Sequence, residues 1–270
     1  IEACYERHEA DAIALMVMEE VLHYSRVDVL LRGDVEQDEV FANRIRHMAQ
    51  RLCDGEPIQY ILGHTTFHGH SFRVTPATLI PRPETEHLVD IIVDDAGGEA
   101  DLRVLDIGTG SGCIAVTLAL DIKGASVDAW DISDDAIAIA NDNIHSLKAD
   151  VNVMKCDALN PPSDMDKYDV IVSNPPYICN SERSGMDANV LEYEPDTALF
   201  VPDDDALLFY RSISRYASKA LRQGGALYFE INPIYVSEMK DMLKEIGFYS
   251  VEIREDQFGK QRFIKTTRKR

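Results

Sequence analysis

Basic residues are scarce in this 270-residue chain: 27 Lys and Arg stand against 47 Asp and Glu, a formal net charge of −20 with pI ≈ 4.7. Nucleic-acid binders gain affinity by neutralising phosphates with cationic side chains, so the deficit disfavours a free-standing nucleic-acid enzyme. It suits a basic partner, or none. Long apolar runs are missing too. No stretch approaches the roughly 18 residues that a membrane span needs, and no charged-then-apolar leader opens the sequence. The expectation is a soluble, cytoplasmic protein without membrane contacts. The chain begins at Ile1 rather than Met, so a few residues are expected to precede it. Cysteine is sparse and irregular: Cys4, Cys53, Cys113, Cys156 and Cys179 form an odd set without a C-x-x-C pair. Neither a zinc knuckle nor a disulfide framework is suggested, and reduced thiols are expected. Hydrophobic residues make up 45% of the chain, which excludes wholesale disorder. The length allows one large domain or two unequal ones.

The pattern along the chain favours two. Ile13, Met16, Val17, Val21 and Tyr24 share one helical face, and so do Phe41, Ile45, Met48 and Leu52. Gly33-Asp34 punctuates the space between the helices, and Asp54-Gly55-Glu56-Pro57 ends the second. Residues 1–57 thus read as a small helical domain without ligand chemistry. Residues 58–80 read as a hairpin linker, with Phe67, Phe72 and Val74 flanking His68-Gly69-His70. His64, His68 and His70 lack a carboxylate or Cys to complete a metal set, so they read as a polar turn and no metal is expected. From residue 81 onward, strands alternate with helices. Strands are expected at Arg103–Ile107, Ser126–Asp131, Val151–Cys156, Tyr168–Ser173, Ala226–Ile231, Tyr249–Glu255 and Arg262–Lys265. Apolar strands separated by helices imply an α/β fold, a largely parallel sheet covered on both faces. The last two strands are joined too closely for a helical crossover and should pair antiparallel.

A glycine-rich turn follows the first of these strands: Asp106-Ile107-Gly108-Thr109-Gly110-Ser111-Gly112. Glycines let backbone approach a ligand and orient N–H groups at it. The next strand ends in Asp131, placed to accept both hydroxyls of a ribose. An adenosine-containing cofactor follows. Asp106, expected at the lip of the loop, would repel a pyrophosphate and attract an ammonium or sulfonium. The spacing also departs from the dinucleotide G-x-G-x-x-G. S-adenosyl-L-methionine, cationic and free of phosphate, suits such a loop better than a nicotinamide cofactor.

The fourth strand ends in Ser173-Asn174-Pro175-Pro176-Tyr177, and ligands bind at the carboxyl ends of strands in open α/β sheets. Consecutive prolines have fixed φ and no N–H, leaving rigid carbonyls free to accept. The Asn174 side-chain carbonyl and the Pro175 backbone carbonyl match the two donors of a planar amino group. Tyr177 could stack on that plane. Held this way, a conjugated amino nitrogen is aimed at a methyl group.

Asn-Pro-Pro-Tyr resembles the motif of methyltransferases that act on planar amino groups, adenine-N6 and glutamine side-chain enzymes among them. Three further segments separate these two. Gly55-Glu56-Pro57-Ile58-Gln59-Tyr60-Ile61-Leu62-Gly63, Pro76-Ala77-Thr78-Leu79-Ile80-Pro81-Arg82-Pro83-Glu84-Thr85-Glu86 and Tyr193-Glu194-Pro195 resemble the HemK/PrmC family over essentially the whole chain. The resemblance implies protein-(glutamine-N5) methylation of the Gly-Gly-Gln loop of peptide chain release factors. It implies a seven-stranded class I (Rossmann-like) methyltransferase domain over residues 81–270, behind a helical recognition domain and a β-hairpin linker. It also implies that Gly108 to Gly112 and Asp131 hold the cofactor, with an adenine contact at Asp157 and Ala158. The family often carries a larger, aromatic residue where Ala158 stands. Asn174, Pro175, Pro176 and Tyr177 are implied to bind the substrate glutamine, with Asn174 also touching the cofactor. Arg82 and Glu84, within Pro81-Arg82-Pro83-Glu84, are implied to line the floor near the methionine part and to contact substrate.

Methyl transfer from a sulfonium is an in-line displacement whose leaving group needs little acid help. A neutral amide is a poor nucleophile, so the task is orientation: holding both N–H groups, excluding water and placing the nitrogen about 3 Å from the methyl. No general base stands out. The segment Ile178–Asp204 reads as a long loop able to close over substrate, and Asp203-Asp204-Asp205 as a solvated helix start. Two rivals share part of the pattern. An adenine-N6 nucleic-acid enzyme would keep both motifs but lacks support from the charge. A non-catalytic cofactor-binding module would have no use for Asn174 to Tyr177.

Overall fold

Helix-spaced apolar residues close the first part of the molecule. In the computed structural model, which describes residues 4–31, 38–163 and 165–269, the chain divides into two units, residues 1–64 with 187–193 and residues 65–186 with 194–270. The first holds α1 (Arg7–Leu22), α2 (Arg26–Leu31), α3 (Glu39–Cys53) and α4 (Ile58–Leu62). Ile13, Val17, Met48 and Leu52 of the two expected stripes form its core together with Ile58 and Ile61 of α4, while Met16 of the first stripe is exposed. Asp38 caps α3 by accepting the Phe41 N–H at 2.7 Å. Gly33-Asp34 lies outside the described residues. One expectation fails here: Cys4 and Cys53 are joined as a disulfide, with Cα atoms 5.6 Å apart. The fold of α3 back along α1 brings the two together, which spacing in the sequence does not encode.

β1 (His64–Phe67) and β2 (His70–Arg73) form the expected hairpin, but the expected linker starts too early, because Ile58–Leu62 is helix α4 of the first unit. His68 sits between two carboxylates. Its Nε2 lies 2.9 Å from Asp90 and its Nδ1 3.2 Å from Asp121, so both ring nitrogens face carboxylates. The Asp90 hydrogen bond raises its pKa and favours the imidazolium. Among the described residues, no group of three His, Cys, Asp or Glu is arranged to hold a metal ion.

Then come α5 (Pro83–Ala96), β3 (Arg103–Ile107), α6 (Cys113–Asp121), β4 (Ser126–Asp131), α7 (Asp134–Leu147), β5 (Val151–Lys155) and β6 (Tyr168–Ser173). Beyond β6 the expected open loop is mostly structured. It contains β7 (Ile178–Cys179), a short 3-10 turn, α8 (Ala188–Tyr193, counted with the first unit), α9 (Asp196–Leu199) and β8 (Phe200–Val201). β7 and β8 pair in parallel, and Asp203 accepts the Ser181 N–H at 2.8 Å. Asp205 pairs with Arg211 at 2.7 Å, so this acidic run is partly tied down rather than simply solvated. The chain ends with α10 (Leu208–Ala220), β9 (Leu221–Glu230), α11 (Val236–Ile246), β10 (Ser250–Glu255) and β11 (Gln261–Thr267).

Seven strands form one sheet in the order β10-β11-β9-β6-β3-β4-β5. Only β11 runs against its neighbours, so the last two strands pair antiparallel as expected. Alternation along β3 feeds two cores: Val104 packs with α5 and α6 on one face, Leu105 and Ile107 with α10 and α11 on the other. Each fully buried aliphatic side chain of this kind contributes roughly 1.5–3 kcal/mol. The connections from β3 run outward through β4 and β5, while those from β6 run the opposite way. That reversal opens a crevice at the carboxyl ends of β3 and β6, where α/β sheets bind ligands.

Candidate active site

A cavity of about 400 Å³ lies at that crevice, in the size range of cofactor sites, roughly 300–1,000 Å³. Gly108, Thr109, Gly110 and Ser111 form one wall, Asp131 another, Asp157 and Ala158 a third, and Asn174, Pro175 and Pro176 the fourth. Arg82 also reaches it. Asp106, Gly112, Tyr177 and Glu84 do not line it.

The loop geometry explains this division. Gly108 and Gly110 have φ of +76° and +55°, and a Cβ on either would meet nothing within 4 Å. A ligand can therefore approach their backbone closely. Gly112, φ +82°, serves packing instead: its Cβ would lie 3.3 Å from that of Ala140 on α7. The loop's N–H groups are mostly engaged inside the protein. Gly108 and Thr109 donate to the Trp130 carbonyl at 2.8 and 2.9 Å, Gly110 to Asp131 at 2.9 Å and Gly112 to the Thr109 carbonyl at 2.8 Å. The expected array of N–H groups aimed at the ligand is thus absent from these four, and a pyrophosphate would gain little from them. Each Asp131 oxygen accepts one backbone N–H, from Gly110 and from Ser133, both at 2.9 Å, and keeps a lone pair for a hydroxyl. The residues present fit a nucleoside without phosphates.

Asp106 differs from expectation. It sits beneath the loop, 0% exposed, rather than at its lip. One oxygen accepts from the Thr109 hydroxyl at 2.6 Å, and Oδ1 has no hydrogen-bond partner at normal distance. Burial pushes its pKa to about 7, against the pull of Thr109. Its charge acts, if at all, from below the loop. Burial likewise raises the Cys113 thiol to about 12, so this cavity-wall cysteine is an inert thiol.

Asp157 braces its own turn, accepting from Leu159 N at 2.8 Å and Asn160 Nδ2 at 2.7 Å, while the Ala158 carbonyl takes the Ser212 hydroxyl at 2.7 Å. Ile132, 55% exposed beside Asp131, and Phe209 add apolar surface to the same cavity. Sequence reasoning does not single out either; an apolar residue directly after the acidic strand end at Asp131 is the signal for Ile132. The Arg82 guanidinium pairs with buried Glu194, whose second oxygen accepts the Ile80 N–H at 3.2 Å. Two of the motifs that carry the family resemblance thereby meet.

Asn174 emerges from the end of β6 and donates its Nδ2 to the Thr85 hydroxyl at 3.3 Å. Thr85 in turn donates to Glu230 at 2.7 Å. Tyr177 packs against the core beneath α10 and α11 rather than onto the cavity, and burial raises its phenol. Thr85 and Glu230 escape sequence reasoning because their contacts span 89 and 145 residues.

Comparison with known proteins is consistent with this layout. Residues 84–191 match the family described as Methyltransferase small domain, and residues 2–63 the PrmC N-terminal domain. The release factor glutamine methyltransferase of Bacteroides thetaiotaomicron is 42% identical over 269 residues, covering 99% of this chain and 96% of that protein. That of Flavobacterium psychrophilum is 40% identical, covering 98% and 94%. Among solved structures, a methyltransferase from Pyrococcus furiosus matches with a TM-score of 0.55 at 18% identity, over 85% of this chain and 98% of that one. The ribosomal protein L11 methylase of Lactobacillus delbrueckii subsp. bulgaricus matches with a TM-score of 0.51 at 22% identity, over 74% and 86%. At these identities the structures speak for the fold alone, whereas the near-full-length relatives go further: the chain belongs to the release factor glutamine methyltransferase family.

Proposed function

We propose that this protein transfers a methyl group from S-adenosyl-L-methionine to the side-chain nitrogen N5 of the glutamine in the Gly-Gly-Gln loop of peptide chain release factors. One observation carries the reading: Asn174 and Pro175 share a single cavity with Gly108, Gly110 and Asp131. A cofactor wall and an amide-binding wall thus face the same space. The cofactor supplies a methyl group on a positively charged sulfur. Asp131 holds the ribose hydroxyls, Gly108 and Gly110 give room for the methionine part, and Ala158 with Ile132 flank the adenine. The Asn174 side-chain carbonyl and the Pro175 carbonyl each accept one N–H of the glutamine amide. Orientation and exclusion of water do most of what catalysis needs. Arg82, held by Glu194, orders the floor of the site.

Residues 1–57 are the recognition domain in this reading, residues 58–80 the linker and residues 81–270 the catalytic domain. The net charge of −20 favours a basic protein partner over DNA. No helix among the described residues is long and apolar enough to cross a membrane. We place the enzyme in the cytoplasm, where release factors act. Disulfides are rare there, so a thiol titration of freshly lysed protein tests the Cys4–Cys53 pair against that placement.

The decisive experiment incubates labelled S-adenosyl-L-methionine with purified release factors and with DNA. Label on the Gly-Gly-Gln glutamine, found by peptide mass spectrometry, is the expected result; label on DNA alone overturns it. Intact factor should turn over far faster than a short Gly-Gly-Gln peptide, and the advantage should shrink with salt.

A further inference from the structure

We propose that Glu230 is a positioning residue for methyl transfer: acting through the Thr85 hydroxyl, it dictates which end of the Asn174 amide faces the cavity. The proposal rests on the glutamine methyltransferase reading above.

The geometry is a three-member chain. Thr85, in the first turn of α5, is 3% exposed and donates its single hydroxyl proton to a Glu230 oxygen at 2.7 Å. With that proton committed, the Thr85 oxygen offers only lone pairs, so Asn174 must turn its NH2 toward it, at 3.3 Å. The Asn174 carbonyl oxygen is thereby left for a ligand. A substrate amide presents N–H donors, so this is the orientation that binds it. The opposite orientation would set donor against donor.

Glu230 is itself fixed. It ends β9, pairs with Phe263 of β11, and its backbone carbonyl accepts the Tyr210 hydroxyl at 3.1 Å. Phe229 is in register with Ser173, which puts Glu230 one step along from the strand end that carries Asn174. The carboxyl is 3% exposed and is not part of the cavity wall, so contact with substrate does not explain it.

The direction of the chain depends on the charge of Glu230. An ionised carboxylate can only accept. A neutral one can donate to Thr85, which frees the Thr85 proton to turn toward the Asn174 carbonyl and reverses the amide. Burial pushes this carboxyl up to about 7; Thr85 and the guanidinium groups of Arg262 and Arg82 favour ionisation, and Glu84 opposes it. The phenols of Tyr177 and Tyr210 face it as well. The productive orientation is therefore present above neutral pH and is lost as pH falls through about 7.

The test is single-turnover methylation of intact release factor with S-adenosyl-L-methionine in excess, between pH 6 and 9, on the parent, Glu230→Gln, Thr85→Val and Thr85→Ser. Circular dichroism checks folding, and calorimetry checks cofactor affinity. The parent should label the glutamine with a rate that rises with pH through an apparent pKa near 7. Glu230→Gln should lose roughly ten- to a hundredfold at pH 8, part of the cost of a preorganised polar contact. Its KM for release factor should stay within about threefold, since recognition of the whole factor is untouched. Its acid limb should vanish. Thr85→Val should lose a similar factor, and Thr85→Ser, which keeps the hydroxyl, should recover it. A folded Glu230→Gln at parental rate, an acid limb that survives in it (as titration of Asp106 would produce), or equal rates for the two Thr85 variants overturns the relay while leaving the methyltransferase reading intact. A parent that never labels the glutamine overturns that reading, and the relay with it.

Discussion

β3 and β9 flank β6 on either side, and each carries a buried carboxyl near its end. Asp106 takes a threonine hydroxyl at 2.6 Å and Glu230 another at 2.7 Å. Burial pushes both to about 7. The chemistry is nearly the same, yet the uses diverge. Thr109 lies three residues from Asp106, so that bond closes a local turn and shapes the glycine loop. Thr85 lies 145 residues from Glu230 and has a second partner, so that bond passes orientation on to Asn174. A buried carboxyl with a hydroxyl donor can hold a shape or set a direction. Which one it does depends on whether the hydroxyl oxygen has somewhere to send the order.

The most damaging way to break the Glu230 side is to remove its endpoint. Asn174→Ala deletes the acceptor, and Pro175 and Pro176 offer only their own carbonyls in its place. The single-turnover rate should fall roughly 10²–10³-fold in a protein that still folds. A folded variant within threefold of the parent would mean that the Glu230–Thr85 chain orients nothing of consequence. On the Asp106 side the endpoint is Asp131, whose backbone contacts with Gly110 and Ser133 leave it lone pairs for the ribose. Asp131→Ala should weaken cofactor binding by about 2–3 kcal/mol, as for lost charge-assisted hydrogen bonds. Unchanged affinity by calorimetry would remove the ribose assignment.

The same contrast explains what could be read from the sequence. The seven strands, their order of appearance and the antiparallel final pair follow from local alternation and punctuation. The strand–turn–helix from Asp106 to Gly112 is contiguous, so it too is legible from spacing. Details that need a third dimension were not. Asp106 is expected at the lip and lies 0% exposed beneath it, because both faces of β3 are covered and Val104 to Ile107 are all buried. Gly112 looked like a cofactor glycine and instead admits Ala140. Tyr177, expected to stack on substrate, is half-buried and packs against the core. Cys4 and Cys53, and the Thr85–Glu230 bond, join segments far apart in the chain, where no spacing rule reaches.

A gentler probe of the Asp106 side uses stability. Its folded pKa of about 7 exceeds the ordinary 3.8, so between those values the folded protein holds a proton that the unfolded chain releases. This contribution makes stability fall as pH rises from about 4 to about 7. Asp106→Asn removes it and should raise stability at pH 8 by roughly 3 kcal/mol relative to pH 4.5. Glu230 titrates in the same sense, so some slope should remain. Hydrogen bonds and charges from Lys265 and Arg254 hold Asp95 below its ordinary range despite burial, which acts oppositely, below about pH 4. Denaturant melts at the two pH values decide it: an unchanged difference between them would mean that Asp106 is already ionised in its pocket.

The smallest effect separates two glycines of one loop. Gly108 and Gly112 have nearly equal left-handed φ, +76° and +82°, so an alanine at either meets a backbone cost of about 1–2 kcal/mol. The surroundings differ. At Gly108 the new methyl enters open space on the cavity wall, whereas at Gly112 it stops 3.3 Å from the Ala140 Cβ and 3.4 Å from its Cα. α6 and α7 must then give by a few tenths of an ångström, and overpacking of this kind adds a cost at the low end of the usual 1–3 kcal/mol. Gly112→Ala should therefore melt at lower denaturant than Gly108→Ala by an amount worth about 1 kcal/mol. Cofactor affinity should rank them the other way, since only the Gly108 methyl stands where the ligand approaches. Denaturant curves and calorimetry on the two variants read both rankings. If Gly112→Ala weakened the cofactor more than Gly108→Ala did, Gly112 would belong to the binding wall and the division of the loop into ligand and packing glycines would fail.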